Sequence, residues 1–139
     1  MYVVIMAGGK GERFWPLSRK ATPKQCLKII AEKTMIEVTV ERLTRLVPKD
    51  HIYIATGHHL YEPIRQVLPD VQYVLEPLAR NTAACIGLAA IYIAKRDPEG
   101  VMFIETADHV YKDTEKYLAH VQLATEIAKE NQIALIGIK

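Results

Sequence analysis

Apolar residues in this chain fall into short runs, separated by longer stretches in which they recur every three or four positions. The short runs, rich in β-branched and aromatic residues, lie at 2–6, 52–55, 72–75, 101–105 and 133–138 and predict strands. The stretches between them predict helices. Over 34–47, Ile36, Val40, Leu43 and Val47 form one stripe, and Pro48 follows as a stop. Residues 59–68 predict a shorter helix closed by Pro69. Residues 82–96 predict a helix apolar on most sides, buried against the sheet and ended by Pro98. Over 113–130, Leu118, Val121, Ala124 and Ala128 share one face while Lys116, Glu126, Lys129 and Glu130 lie elsewhere, the pattern of a surface helix.

Strands buried on both faces and joined by helical crossovers predict an α/β fold. The sheet is mostly parallel and Rossmann-like, with helices on both faces. Right-handed crossovers gather the strand carboxyl ends on one rim, here the loops after Met6, Thr56, Leu75 and Glu105. The 139 residues have the length of one domain, without repeat, linker or low-complexity tract. The final run, Ile133 to Ile138, ends at Lys139 and reads as a truncation, because a bare apolar strand edge invites association.

Composition narrows the function classes. A net charge of +2, with basic residues scattered among acids, does not suit nucleic acid. No apolar stretch reaches the roughly 18–20 residues of a membrane span, and the N-terminus lacks the pattern of a signal peptide. The two cysteines, Cys26 and Cys85, have no metal-ligand spacing, which suggests a reduced cytoplasmic protein. Cys85 reads as a small core residue. His58 and His59 read as loop or cap residues, His51 and His120 as surface positions, and no nucleophile–histidine arrangement is present.

The candidate chemistry begins where the first strand ends. Ala7-Gly8-Gly9-Lys10-Gly11 follows the apolar run Tyr2 to Met6, and glycines there let backbone N–H groups approach a phosphate chain. It is not a Walker A loop, since Gly11 and Glu12 follow Lys10. Nor is it the dinucleotide fingerprint, since Phe14 takes the third glycine position. Arg13 and Lys24 stand close by as cations, the first with a planar fork that never deprotonates, the second pinned by Pro23. Lys10 is a weaker candidate for the outer phosphates, Arg19 reads as the partner of an acid, and Trp15 and Leu17 read as packing residues. Asp108, beyond the strand Val101 to Glu105, suits either a turn or cap role or Mg²⁺, which prefers oxygen ligands. Asn81 or Thr82 can cap the helix that follows them. That helix N-terminus also favours an anion or a ribose hydroxyl.

The segment AGGKGERFWPLSRKATPKQCLKI resembles the signature of the sugar-nucleotide pyrophosphorylases, a nucleotidyltransferase family, and WPLSR with PKQ resembles its mannose-1-phosphate guanylyltransferase branch. Glu76 to Ala84 resembles a second motif of that branch, and Ala107-Asp108-His109 its metal-binding Asp-His. Thr106 departs from the family pattern, which has proline there. The resemblance implies nucleotidyl transfer from GTP to mannose 1-phosphate, giving GDP-mannose and pyrophosphate. Arg13 and Lys24 would be the catalytic cations. Ala7, Gly8, Gly9, Lys10, Gly11, Glu76, Arg80, Asn81 and Thr82 would bind nucleotide, with Glu76 accepting from guanine. Asp108 would hold Mg²⁺ or another divalent cation, with His109 orienting it. Residues 1–139 would then be the N-terminal nucleotide-binding portion of a catalytic domain whose sugar-phosphate half is absent, so the fragment alone is expected to be inactive. A non-catalytic nucleotide-binding module and a pyrophosphorylase for another nucleotide or hexose phosphate are the alternatives, and a homo-oligomer is left open.

In a protein carrying the whole catalytic unit, Arg13→Ala is expected to lower turnover far more than stability, because a loop arginine supports charge rather than core. Steady-state rates and thermal unfolding measured together check this. An unfolded variant, or one with unchanged turnover, contradicts it.

Overall fold

The computed structural model describes residues 1–9, 11–19, 23–29, 32–78 and 80–137, with Arg13 as backbone only. Four strands, β1 (Tyr2–Met6), β2 (Ile52–Gly57), β3 (Gln72–Glu76) and β4 (Met102–Thr106), are parallel neighbours in the order β3-β2-β1-β4. Helix α1 (Met35–Leu43) lies between β1 and β2 in the chain, α2 (His58–Val67) follows β2, α3 (Asn81–Arg96) follows β3, and α4 (Thr114–Ala128) follows β4.

β1 lies inside the sheet, and Val3, Val4 and Ile5 have no solvent exposure. The two-residue period of the strand divides its side chains. Val3 and Ile5 pack with Ile36 and Val40 of α1, Ile64 of α2 and Val121 of α4. Tyr2 and Val4 pack on the other face with Cys85, Ala89 and Ile93 of α3. From β1 the chain passes through α1 to β2 on one side, and it reaches β4 through α3 on the other. The carboxyl ends of β1 and β4 therefore flank the point where strand order reverses, the usual ligand crevice of an open α/β sheet.

The predicted elements hold at 2–6, 52–55, 72–75 and 101–105, each shifted by two residues at most. Five expectations change. The helix over 34–47 ends at Leu43, and the chain turns before Pro48 while Val47 stays buried. α2 starts at His58 and continues through Pro63, which removes one backbone donor, with Leu60 and Ile64 buried on either side of it. α3 buries one face only, leaving Ile91 57% and Tyr92 47% exposed. Residues 133–137 form no strand: among the described residues nothing pairs with them, and Ile133 and Leu135 are 93% and 90% exposed. His51 is not simply a surface residue; its ring stacks on Tyr2 at 4.5 Å. Among the described residues no helix is long and apolar enough to cross a membrane.

α1 matters to the site because it packs beneath the rim, and its start is fixed by a reciprocal cap. The Glu37 N–H donates to the Thr34 hydroxyl oxygen at 3.3 Å, and the Thr34 N–H donates to Glu37 Oε2 at 2.8 Å. Thr34→Ala is expected to cost about 1 kcal/mol, read by denaturant unfolding. The Thr34 hydrogen bonds hold the Glu37 carboxyl below its ordinary value of 4.5, so the cap's contribution is present above about that pH and lost as pH falls through the lowered folded value. The variant keeps the backbone N–H donor and should lose only the part of this acid dependence that the Thr34 hydroxyl, donating to Glu37 Oε2 at 2.6 Å, contributes.

Candidate functional site

At the end of β1 the Ala7 N–H still donates to Ala55 O at 2.8 Å, and the chain then leaves the sheet at the glycines. Their carbonyls are held from below. Gln25, fully buried, donates from Nε2 to Ala7 O at 2.9 Å and to Gly9 O at 3.1 Å. The Thr56 hydroxyl donates to Ala7 O at 3.1 Å. Two carbonyls on one amide nitrogen fix the orientation of the Gln25 side chain, and its buried Oε1 has no hydrogen-bond partner among the described residues. Gln25 sits in the 3₁₀ turn Lys24–Cys26, entered through Pro23.

Gly11 closes the loop at φ 71°, and a Cβ there would lie 2.5 Å from Ser18 Oγ and 2.9 Å from Lys24 Cβ. The next turn, Glu12–Phe14, carries the Arg13 backbone. Lys10, Ala79 and the Arg13 side chain lie outside the described residues.

Lys24 crosses this loop. A Cβ on Gly9 would meet its Cε at 3.4 Å. Its Nζ donates to Asp108 Oδ2 at 2.6 Å, with the two side chains 16% and 28% exposed. Burial opposes ionisation of Asp108, but the Lys24 hydrogen bond and charge outweigh it and hold the carboxyl below its ordinary value. The predicted cation and the predicted metal carboxylate are thus direct partners. Asp108 offers a hard oxygen at the rim. Among the described residues no group of three or more His, Cys, Asp or Glu side chains gathers for a metal. A single carboxylate still fits Mg²⁺, which commonly takes one or two and fills its shell with water and substrate phosphates.

On the other side of the glycines lies a cavity of about 280 Å³, lined by Gly8, Gly9, Glu76, Asn81, Thr82 and Cys85 among others. Glu76 ends β3 and is only 9% exposed; a Cβ on Gly8 would stand 3.1 Å from its Oε2. Burial pushes the Cys85 thiol up to about 11, with Glu76 adding to the effect, so this cysteine stays a neutral wall of the cavity. Neither Asn81 nor Thr82 is the helix cap. Arg80 takes that position without a side-chain cap bond, and Asn81 adopts φ 65° as the first helical residue. The first turn of α3 therefore begins at the cavity wall with no side-chain cap bond from Arg80.

The structure brings Gly8, Gly9, Glu76, Arg80, Asn81 and Thr82 around one cavity, and Lys24 and Asp108 together beside it. Ala7 is buried and contributes through its carbonyl. Trp15 and Leu17 do not pack: they are 76% and 64% exposed. Arg19 donates from Nε to Pro16 O at 3.1 Å rather than to an acid. The roles of Gln25, Thr56 and Glu105 were not read from the sequence. Glu105 had a visible signal, an acid on the parity of β4 that faces the core with Phe103.

The sequence profile described as nucleotidyl transferase matches residues 2–139. Among curated relatives, a mannose-1-phosphate guanylyltransferase of Escherichia coli (strain K12) is 39% identical over 103 residues, covering 71% of this chain and 22% of that protein. One of Salmonella muenchen is 43% identical over 91 residues, covering 63% and 19%. A crystal structure described as a mannose-1-phosphate geranyltransferase from Thermus thermophilus matches with a TM-score of 0.85 at 36% identity, over 93% of this chain and 38% of that one. A CTP:phosphocholine cytidylyltransferase from Streptococcus pneumoniae, at 22% identity and a TM-score of 0.62 over 81% of this chain and 47% of that one, shares the fold. The chain spans about a fifth of the length of the curated relatives it matches.

Gly11→Ala is expected to destabilise the protein by about 1–3 kcal/mol, since it combines an unfavourable backbone conformation with a steric conflict. Denaturant unfolding measures the loss. Full stability in this variant would show that the loop has no need of the left-handed conformation.

Proposed function

We propose, from the premise that this chain belongs to the nucleotidyl transferase family, that it carries the nucleotide-binding part of a mannose-1-phosphate guanylyltransferase. In that reaction an oxygen of mannose 1-phosphate bonds to the α-phosphorus of GTP. The bond from that phosphorus to the bridging oxygen breaks, and pyrophosphate leaves with the electron pair. Little covalent work falls to the protein; positioning and charge stabilisation dominate. The observation that carries the reading is the Lys24–Asp108 pair held against the glycine loop, where the strand order reverses.

The amides of the loop from Gly8 to Gly11 are the phosphate donors in this reading, with Lys10 near the outer phosphates. The Ala7 and Gly9 carbonyls are already tied to Gln25. A triphosphate competes with Asp108 for the Lys24 ammonium. The Lys24 stem already lies along Gly9 and Gly11, so turning Nζ toward a phosphate needs side-chain rotation and no backbone movement. Arg13 is the second cation. Asp108 would hold the divalent cation, which supplies charge neutralisation between the two reacting phosphates.

The cavity beside the loop takes the nucleoside. Guanine presents adjacent N1–H and N2–H₂ donors, and the Glu76 carboxyl in the cavity wall can accept from them; adenine presents an acceptor at N1. Arg80, Asn81 and Thr82 bring the uncapped start of α3 to the ribose or phosphate side. Two soluble phosphate substrates and two unpaired cysteines suit a cytoplasmic setting.

Calorimetric titration of the complete protein in excess Mg²⁺ is expected to show saturable binding that prefers GTP to ATP, with turnover when mannose 1-phosphate is added. A preference for ATP overturns the guanine reading. GTP binding with no turnover on any sugar phosphate supports a non-catalytic nucleotide-binding module instead.

A further inference from the structure

Glu105 is the acid that the reading above does not use. It lies in β4 opposite Ile5 and is 4% exposed, facing the apolar core between the sheet, α1 and α4. A carboxyl group there has to be satisfied by neighbours, and it is. Oε1 accepts from the Thr106 N–H at 2.8 Å. Oε2 accepts from the Tyr111 hydroxyl at 3.2 Å and from the Tyr117 hydroxyl of α4. His109 Nδ1 stands 3.5 Å from Oε1. The Arg42 guanidinium of α1 lies over the same two phenol rings, 4.6 Å from the centre of Tyr111 and 5.2 Å from that of Tyr117.

These contacts surround one residue. Thr106, His109 and Tyr111 bracket Asp108 in sequence, and all three reach Glu105. Ala107 O accepts a hydrogen bond at 3.4 Å from Thr39 Oγ1 of α1, and Arg42 Nη2 approaches that hydroxyl at 3.5 Å. Packing does not do this work alone, because a cavity of about 240 Å³ separates part of the loop from α1.

We propose that Glu105 is a positioning residue, the buried post around which the loop from Thr106 to Tyr111 is wrapped so that Asp108 is presented at the rim. It acts through Asp108 and touches no substrate. The inference rests on the proposed function only for the role of Asp108; the wrapping itself concerns this chain's own contacts.

The test uses the complete protein with Glu105→Gln, which keeps the size of the side chain but turns one of its two acceptor oxygens into an amide donor, and Tyr111→Phe, which removes one hydroxyl at the half-buried edge should the first variant fail to fold. Two readouts are taken. The Mg²⁺ concentration giving half-maximal turnover should rise about tenfold in Glu105→Gln and less in Tyr111→Phe, while GTP affinity measured by calorimetry in chelator stays within about twofold. Independently of activity, the losses in urea midpoint caused by Glu105→Gln, or by Tyr111→Phe, and by Lys24→Ala should be non-additive, because each disturbs the same presented Asp108. An unchanged Mg²⁺ requirement, an equal loss of metal-free GTP affinity, or additive midpoint losses overturns the inference. Absence of nucleotidyl transfer in the unmodified complete protein overturns the proposed function instead, and the midpoint cycle then decides on Glu105.

Discussion

A single buried amide sets the geometry on which the site depends. Where β1 leaves the sheet, the Ala7 carbonyl is buried, where an unpartnered carbonyl costs roughly 1–3 kcal/mol; Thr56 supplies one donor to it, and the Gly9 carbonyl stands nearby in the loop. Gln25 satisfies both from one nitrogen. That bond brings the turn Lys24–Cys26 under the loop, and Lys24, its neighbour in the turn, is thereby carried to the rim. The Lys24 stem fills the space that Cβ atoms on Gly9 and Gly11 would claim. Its ammonium then reaches Asp108, 84 residues further along the chain. Glycine loop, Pro-Lys-Gln turn and Asp-His loop are three separate stretches of sequence, and one amide and one ion pair make them a single structure.

The glycine loop also divides the crevice. On the α1 side lie the Lys24 ammonium, a cation suited to phosphates, and the Asp108 carboxyl that pairs with it. On the α3 side lie a buried acid, Glu76, and an uncapped helix start. The division follows from topology. α1 and α4 pack on one face of β1 and α3 on the other. The loop at the end of β1 therefore has a different helix system on each side, and in the proposed reading a nucleotide laid across it would meet phosphate chemistry on one side and base recognition on the other. Gly8 is the narrow point between them, since a side chain there would press on Glu76 at 3.1 Å.

The strand and helix pattern was legible because both faces of β1 are covered, so burial and periodicity coincide in Val3, Val4 and Ile5. The motifs were legible because glycine, proline and charge fall close together at a strand end. What stayed hidden depends on partners distant in sequence. Residues 133–137 have the composition of a strand, but a strand exists only where a neighbour accepts its hydrogen bonds. Trp15 and Leu17 are apolar, yet the turn that holds them points them to solvent. Asn81 has the chemistry of a cap but sits one position too late to act as one. Gln25 was visible as part of a motif, while its task, donating to two carbonyls 16 and 18 residues away, was not.

Thr106 shows how a local departure gains meaning from its surroundings. By resemblance a proline belongs at this position, and proline has no N–H to give. Threonine supplies one, and the acceptor is the side chain immediately before it, Glu105. A buried acid at the end of a core strand and an N–H-bearing residue after it therefore fit as a pair. The charge of Arg42 completes the arrangement without a direct salt bridge among the described contacts: its guanidinium faces two tyrosine rings, and the hydroxyls of the same rings turn toward Glu105. Buried charges that meet directly gain attraction at a desolvation cost of several kcal/mol per ion. Two phenols between them provide hydrogen bonds for the acid and π-faces for the cation while filling the core. The same contacts that satisfy this buried polar cluster tie the loop carrying Asp108 to α1 and α4.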